Sequence, residues 1–214
     1  MGKYFGAIIF SSALAFVPVS KSIADPVLTG DIEAGRAKSA VCIACHGADG
    51  NSVNPQWPKI AGLGERYFIS QLKAFKLGAN GPRQSMNAQM MYPMVMNLSE
   101  QDMADLAAFF EQQERSSGIA DEKIYKKGEA IYRGGNSDFG SAACIGCHGP
   151  RGKGNPAAGF PAVSGQFAAY SYNQLQAFHD GKRGGDPNGM MVNMVRKMST
   201  EEMKAVAEYI QGLH

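Results

Sequence analysis

Cys42-Ile43-Ala44-Cys45-His46 returns as Cys144-Ile145-Gly146-Cys147-His148, 102 residues later. The spacing C-x-x-C-H is that of c-type haem attachment. Two thiols separated by two residues straddle one porphyrin edge and add across its two vinyl groups. The histidine that follows at once lies beneath the ring and reaches the iron. All four cysteines of the 214-residue chain fall in the two pentads, so none is left for a disulfide framework. Shared zinc ligation is remote, because about 100 residues separate the two pairs, far beyond the usual ligand spacing. The pentads therefore predict two covalently bound haem c groups, attached through Cys42, Cys45, Cys144 and Cys147, with His46 and His148 on the irons.

Working outward, the sequences around the pentads repeat as well. Trp57 to Gly62 (WPKIAG) matches Phe160 to Gly165 (FPAVSG), and Tyr67 to Gly78 (YFISQLKAFKLG) matches Tyr170 to Gly181 (YSYNQLQAFHDG). Leu98 to Phe110 matches Met198 to Ile210. The offset stays between 100 and 103, so two collinear copies stand in tandem, each close to the ordinary size of an independent domain. The boundaries predicted are 25–115 and 116–214, joined near 113–121, where QERSSGIAD interrupts the apolar periodicity. The first copy carries 8 basic and 10 acidic residues and the second 11 and 9. This difference in sign offers a means for the halves to dock, or simply a scattered solvated surface.

Each copy reads as helical, with no strand alternation. A short helix over 33–41 runs into the first pentad, and its equivalent begins at 128–133, followed by an inserted glycine-rich loop, GGNSDFG. A second helix covers 65–77, with Phe68, Leu72 and Phe75 on one face, and its counterpart covers 168–180. The last helix of each copy opens on a capping-box pattern, Ser99 with Asp102 and Ser199 with Glu202. Its apolar stripe, Met103, Leu106, Ala107 and Phe110 against Met203, Val206, Ala207 and Ile210, predicts core packed on the opening helix of the same half.

Charge and composition narrow the function classes. A formal net charge of +2 and no basic run give no case for nucleic acid. Lys3, the apolar run from Tyr4 to Val17 and the small residues at Ser22 and Ala24 fit a secretory signal over 1–24, cut after Ala24. That run is shorter than the roughly 20 residues a membrane span needs. Export and c-type haem attachment agree on the periplasm.

An iron held by one histidine has a second axial position to fill. Only four histidines exist, and the two outside the pentads, His179 and His214, both lie in the second half at positions that read as surface. Methionine is abundant, with 12 in the chain. Aligning the last helices pairs Met90 with Met190, Met91 with Met191 and Met94 with Met194. Forty-five residues separate His46 from Met91 and 43 separate His148 from Met191, enough chain to wrap the ring. Spacing does not rank the three pairs.

One C-x-x-C-H near the start of a hundred-residue helical unit, then a methionine loop before a final helix, resembles class I cytochrome c. Two such units in tandem, with VCIACHGADGNS, FPAVSGQ, QLKAF with QLQAF, and the closing YIQGLH, resemble the di-haem cytochrome c4 family over the whole chain after the signal. The resemblance implies an all-α fold of two tandem class I cytochrome c domains, each wrapped around one covalently attached haem. It selects Met91 and Met191 as the second iron ligands. It gives the carbonyls of Pro58 and Pro161 the task of fixing the ligand imidazoles, and it sets the haem propionates facing across the interface of the halves. The implied function is a periplasmic electron carrier, not an enzyme, passing single electrons from a bc1-type complex to a terminal oxidase. Membrane-surface association is then transient and through those partners. The alternatives are the cytochrome subunit of a flavoprotein sulfide dehydrogenase, or a di-haem enzyme such as a peroxidase or thiosulfate dehydrogenase. With no spare cysteine and a methionine available for each iron, the enzyme reading lacks its usual open or unusually ligated iron.

Overall fold

The computed structural model describes residues 2, 28–136 and 140–214. The expected signal segment, apart from Gly2, lies outside the described residues. Eleven α-helices are found among those described, and no strand longer than an isolated bridge. No helix among them is long and apolar enough to cross a membrane.

The first half opens on α1 (Ile32–Lys38) and α2 (Ala40–His46). The sequence predicts one helix here; the chain instead breaks at Ser39. The Ser39 hydroxyl donates to the Arg36 carbonyl at 2.8 Å, a side-chain bond that competes with the helical ladder. Then come α3 (Glu65–Lys76), α4 (Met86–Gln89), α5 (Tyr92–Val95) and α6 (Glu100–Glu111). The second half repeats the plan with α7 (Tyr125–Gly134), α8 (Ile145–His148), α9 (Ala168–His179), α10 (Met190–Val195) and α11 (Thr200–Gly212). The glycine-rich insertion after α7 is closed by a pair of backbone bonds between Asn136 and Ser141, both 2.9 Å. It leaves the second pentad a shorter helix than the first.

Both capping boxes form as read, Ser99 with Asp102 and Ser199 with Glu202. Both stripes are buried, and α6 packs on α1 as α11 packs on α7. These crossings are close because glycine faces backbone. A Cβ on Gly35 would lie 2.0 Å from the Asp105 carbonyl oxygen, and one on Gly128 would lie 1.9 Å from that of Ala205. Asp105, 2% exposed, adds a polar lock in the first half: it accepts from the Asp31 N–H at 2.9 Å, from Gln101 at 2.8 Å and from Lys38 at 2.5 Å. The second half has Ala205 there. Its opening segment is tied instead through the Asp121 N–H to Glu208 at 3.1 Å.

Each half has its own core, one gathered around Phe68, Leu106 and Phe110, the other around Tyr132, Val206 and Ile210. The halves also pack on each other. Gln84 N–H donates to the Lys182 carbonyl and Gly184 N–H to that of Pro82, both at 2.8 Å, bracketing an antiparallel bridge between Arg83 and Arg183. The buried Gln166 side chain makes both backbone bonds of Lys59, at 3.0 and 2.9 Å. The connecting segment is not a loose tether: the Ser116 N–H donates to Asn51 of the first half at 2.8 Å, and the Gly118 N–H to the Gln211 carbonyl of the second at 3.1 Å. Among the described residues every ion pair lies within one half.

Candidate functional site

The pentads sit at equivalent places in the two halves. Cys42 and Cys144 are half-buried against their respective cores, while Cys45 and Cys147 are exposed. None of the four is paired in a disulfide. Burial pushes Cys42 and Cys144 up to about 11, which keeps both neutral near pH 7. Nearly a full helical turn separates the two cysteines of each pentad, so both sulfurs fall on one face, the donor set that thioether attachment needs.

His46 and His148 are buried, 7% and 8% exposed. His46 Nδ1 is 2.8 Å from the Pro58 carbonyl oxygen, and His148 Nδ1 is 2.9 Å from that of Pro161. A carbonyl only accepts, so each Nδ1 carries the proton and donates it. Nε2 is left with its lone pair. Burial lowers both imidazoles below their ordinary value, against the opposing pull of the carbonyl, so the neutral ligand form prevails. In the second half the Tyr132 hydroxyl adds a bond of 2.7 Å to the carbonyl of Gly149, just past His148. The residues present fit a haem in each half.

Methionine burial separates the three aligned pairs. In the first half Met90 and Met94 are 52% and 44% exposed, whereas Met91 is half-buried and packs on the same core as Cys42 and Ile43. In the second half Met191 and Met194 both pack on the core that Cys144 and Ile145 touch. Only the pair Met91 and Met191 is packed on the core in both copies. The Met191 N–H is held by Asp186 at 2.6 Å. His179 and His214 are exposed, occupied with Asp180 and with the Gly212 carbonyl, and neither approaches a pentad core.

A feature missed in the sequence is the polar seam between the halves. Arg83 and Arg183 lie there, 5% and 7% exposed, stacked on Phe75 and Phe178 at 4.5 and 4.4 Å from the ring centroids. They meet the glutamines Gln71 and Gln174 of the QLKAF and QLQAF repeats. The available signal was an arginine aligned in both copies at an offset of 100.

Comparison with known proteins agrees with this geometry. The cytochrome c family model matches residues 32–114 and 125–214. The chain is 47% identical over 189 residues to cytochrome c4 of Stutzerimonas stutzeri, a match spanning 86% of this chain and 90% of that protein. It is 36% identical over 178 residues to a thiosulfate dehydrogenase electron acceptor of Thiomonas intermedia, spanning 81% and 78%. The crystal structure of reduced recombinant cytochrome c4 from Pseudomonas stutzeri superposes with a TM-score of 0.83 at 46% identity, covering 87% of this chain and 100% of that one. Two helical halves, each with a C-x-x-C pair outside any disulfide and a carbonyl-anchored histidine, and this likeness over both of them lead to one conclusion: the chain belongs to the di-haem cytochrome c4 family, electron carriers whose two cytochrome c domains bind haem c covalently, here through Cys42 and Cys45 and through Cys144 and Cys147.

Proposed function

We propose that this carrier works in the periplasm with two irons closed by His46 and Met91 and by His148 and Met191. It takes single electrons from a bc1-type complex and delivers them to a terminal oxidase. When bound, each haem supplies a one-electron ferric/ferrous couple. Each histidine, its Nδ1 proton fixed on a proline carbonyl, offers Nε2 in a set orientation with little freedom to reorganise. Each methionine offers a neutral thioether, which favours the reduced iron over the oxidised one relative to a second histidine. Closing both axial positions leaves no place for substrate, which supports a carrier over an enzyme. The observation that carries the reading is the packing of Met91 and Met191 on the cores that the pentads touch, a placement that neither of the other two aligned loop pairs, Met90 with Met190 and Met94 with Met194, has in both copies.

The oxidised protein is expected to show the weak long-wavelength absorption band of thioether-to-iron bonds. Met91→His and Met191→His each remove about half of it. Retention of the whole band in both variants overturns the assignment. A second reading has support in the likeness to a thiosulfate dehydrogenase electron acceptor. In that case a thiosulfate dehydrogenase, rather than a bc1-type complex, reduces the protein. Side-by-side reduction by the two purified enzymes separates these donors, and thiosulfate or peroxide turnover by the protein alone would revive the enzyme reading.

A further inference from the structure

Gln166 reaches into the first half from the second. Its side chain is 7% exposed and clamps the Lys59 backbone: Oε1 accepts from the Lys59 N–H at 3.0 Å, and Nε2 donates to the Lys59 carbonyl at 2.9 Å. An N–H only donates and a carbonyl only accepts, so one orientation of the amide serves both. Oε1 also accepts from the Phe167 N–H at 3.1 Å, which holds it in place. The Lys59 side chain is fixed too, with its ammonium on the Ser116 carbonyl at 2.8 Å and over the Phe167 ring, 4.9 Å from the centroid. The clamp therefore grips a segment with little freedom to move away from it.

The Lys59 N–H belongs to the same peptide group as the Pro58 carbonyl, which accepts from His46 Nδ1 at 2.8 Å. One unbroken chain results: His46 Nδ1–H to the Pro58 oxygen, across the amide to the Lys59 N–H, and on to Gln166 Oε1. Bonds in such a chain polarise one another, most where water is excluded. A peptide whose N–H is engaged carries more negative charge on its oxygen and accepts more strongly. The two halves differ here. WPKIAGL aligns with FPAVSGQ, so Gln166 stands where the first half has Leu63, and Ala162 stands at the place of Lys59. Leu63 packs on the first core and has no amide with which to return the contact. The clamp runs one way, from the second half to the histidine of the first.

We propose that Gln166 is a positioning residue for the first centre: by polarising the Pro58–Lys59 peptide it strengthens the pull on the His46 Nδ1 proton, and so lowers the potential of the first iron while the halves are docked. This rests on the axial reading above, in which His46 Nε2 meets the iron. A proton drawn toward the carbonyl leaves the imidazole ring richer in electrons. A more basic ligand favours the oxidised iron over the reduced one, so the potential falls. The packing of one half thereby sets a property of the other half's iron. Any movement that lifts Gln166 off Lys59 raises the first potential and leaves His148, on its own Pro161 carbonyl, as it was.

The test uses the purified, fully haem-loaded protein with Gln166→Met, which keeps the length of the side chain but removes the amide, and Gln166→Glu, which keeps an acceptor for the Lys59 N–H. Arg66→Ala is the control for docking in general, because it breaks a different bond between the halves, from Arg66 Nη1 to the Ala157 carbonyl at 2.7 Å. Haem content and the thioether band are read first; their loss in the wild type overturns the axial reading and this one with it. Proton NMR of the reduced protein then follows the Nδ1–H resonances of His46 and His148, and a redox titration read on the haem methyl resonances gives each centre's potential. Gln166→Met is expected to move the His46 proton upfield and raise the first potential, with His148 and the second potential unmoved. Gln166→Glu is expected to leave the His46 proton at its wild-type position or further downfield, with no rise in potential. An unmoved His46 proton and an unmoved first potential in Gln166→Met, with both haems and the band retained, overturn the proposal alone. So does an equal shift at both centres, or the same shift in Arg66→Ala, since either traces the change to loosened docking rather than to the Pro58–Lys59 peptide.

Discussion

The helix crossings offer the most direct check on how each half is built. Substituting Gly35→Ala puts a methyl carbon 2.0 Å from the Asp105 carbonyl oxygen and 2.9 Å from Phe109 Cβ. Ordinary contact needs roughly 3.5 Å, so α1 and α6 must part by about 1.5 Å along the line of closest approach. The obstacle is backbone within a helical ladder and cannot rotate aside. Overpacking of this kind costs roughly 1–3 kcal/mol, occasionally more. Alanine returns about 1 kcal/mol through its better helix propensity. Taking the upper part of the steric range leaves a net loss of about 2 kcal/mol. For a unit near one hundred residues this lowers the melting temperature by roughly 8–16 °C. Gly128→Ala, 1.9 Å from the Ala205 carbonyl oxygen, should cost the second half a similar amount. Gly134→Ala, whose added carbon meets nothing within 4 Å, is the control and should be neutral or slightly stabilising. Thermal unfolding of the haem-loaded proteins by far-ultraviolet circular dichroism reads all three. If Gly35→Ala and Gly128→Ala melt at or above the wild type, close backbone approach is not what these glycines provide.

Two further outcomes follow from polar contacts. Lys38 and the Ser99 cap hold Asp102 below the usual carboxylate range, and the Asp31 N–H with Lys38 does the same for Asp105. A carboxylate whose folded pKa is depressed adds stability that is present above its unfolded value of about 3.9 and is lost as pH falls through the folded value. Acid should therefore loosen the first half as pH drops below about 4, and Asp105→Asn should flatten that part of the pH profile of the melting temperature. Gln166→Leu strips the buried Lys59 backbone of both partners. At about 1–3 kcal/mol for each buried group left unsatisfied, it should weaken docking of the halves and speed cleavage within 113–121, read by limited proteolysis, while each half keeps its haem.

Much of the architecture was legible because duplication doubles every signal. A capping box at Ser99 gains force when Ser199 repeats it, and a stripe at Met103, Leu106 and Phe110 gains force from Met203, Val206 and Ile210. What stayed hidden depends on contacts made far along the chain. Nothing local to Gly35 announces the Asp105 carbonyl, some seventy residues away. The break at Ser39 turns on one hydroxyl choosing the carbonyl three residues back, which composition does not reveal. The methionines illustrate the boundary between these cases. Alignment reduces the crowd to three pairs, but burial in a folded half distinguishes a thioether packed on the core, as Met91 is, from those exposed at the surface, as Met90 and Met94 are.

The seam shows a further limit, and the reason for it. Arg83 and Arg183 align, as do Gln71 with Gln174, Phe75 with Phe178, and Tyr67 with Tyr170. Within one copy Gln71 looks like part of an ordinary solvated helix face, Phe75 like part of the apolar one, and Arg83 like a loop arginine. Their meaning arises only when one copy is set against the other about an approximate two-fold axis, so that each arginine reaches the other half's glutamine. A pseudo-symmetric contact of this kind pairs each residue with the other copy's equivalent of its partner, and brings equivalent residues together only near the axis, as it does Arg83 and Arg183. For apolar residues that is favourable, but for arginine it is not. Here the neutral side chains of Gln71, Gln174 and Tyr67 take up the hydrogen bonds of the paired guanidinium groups at the junction.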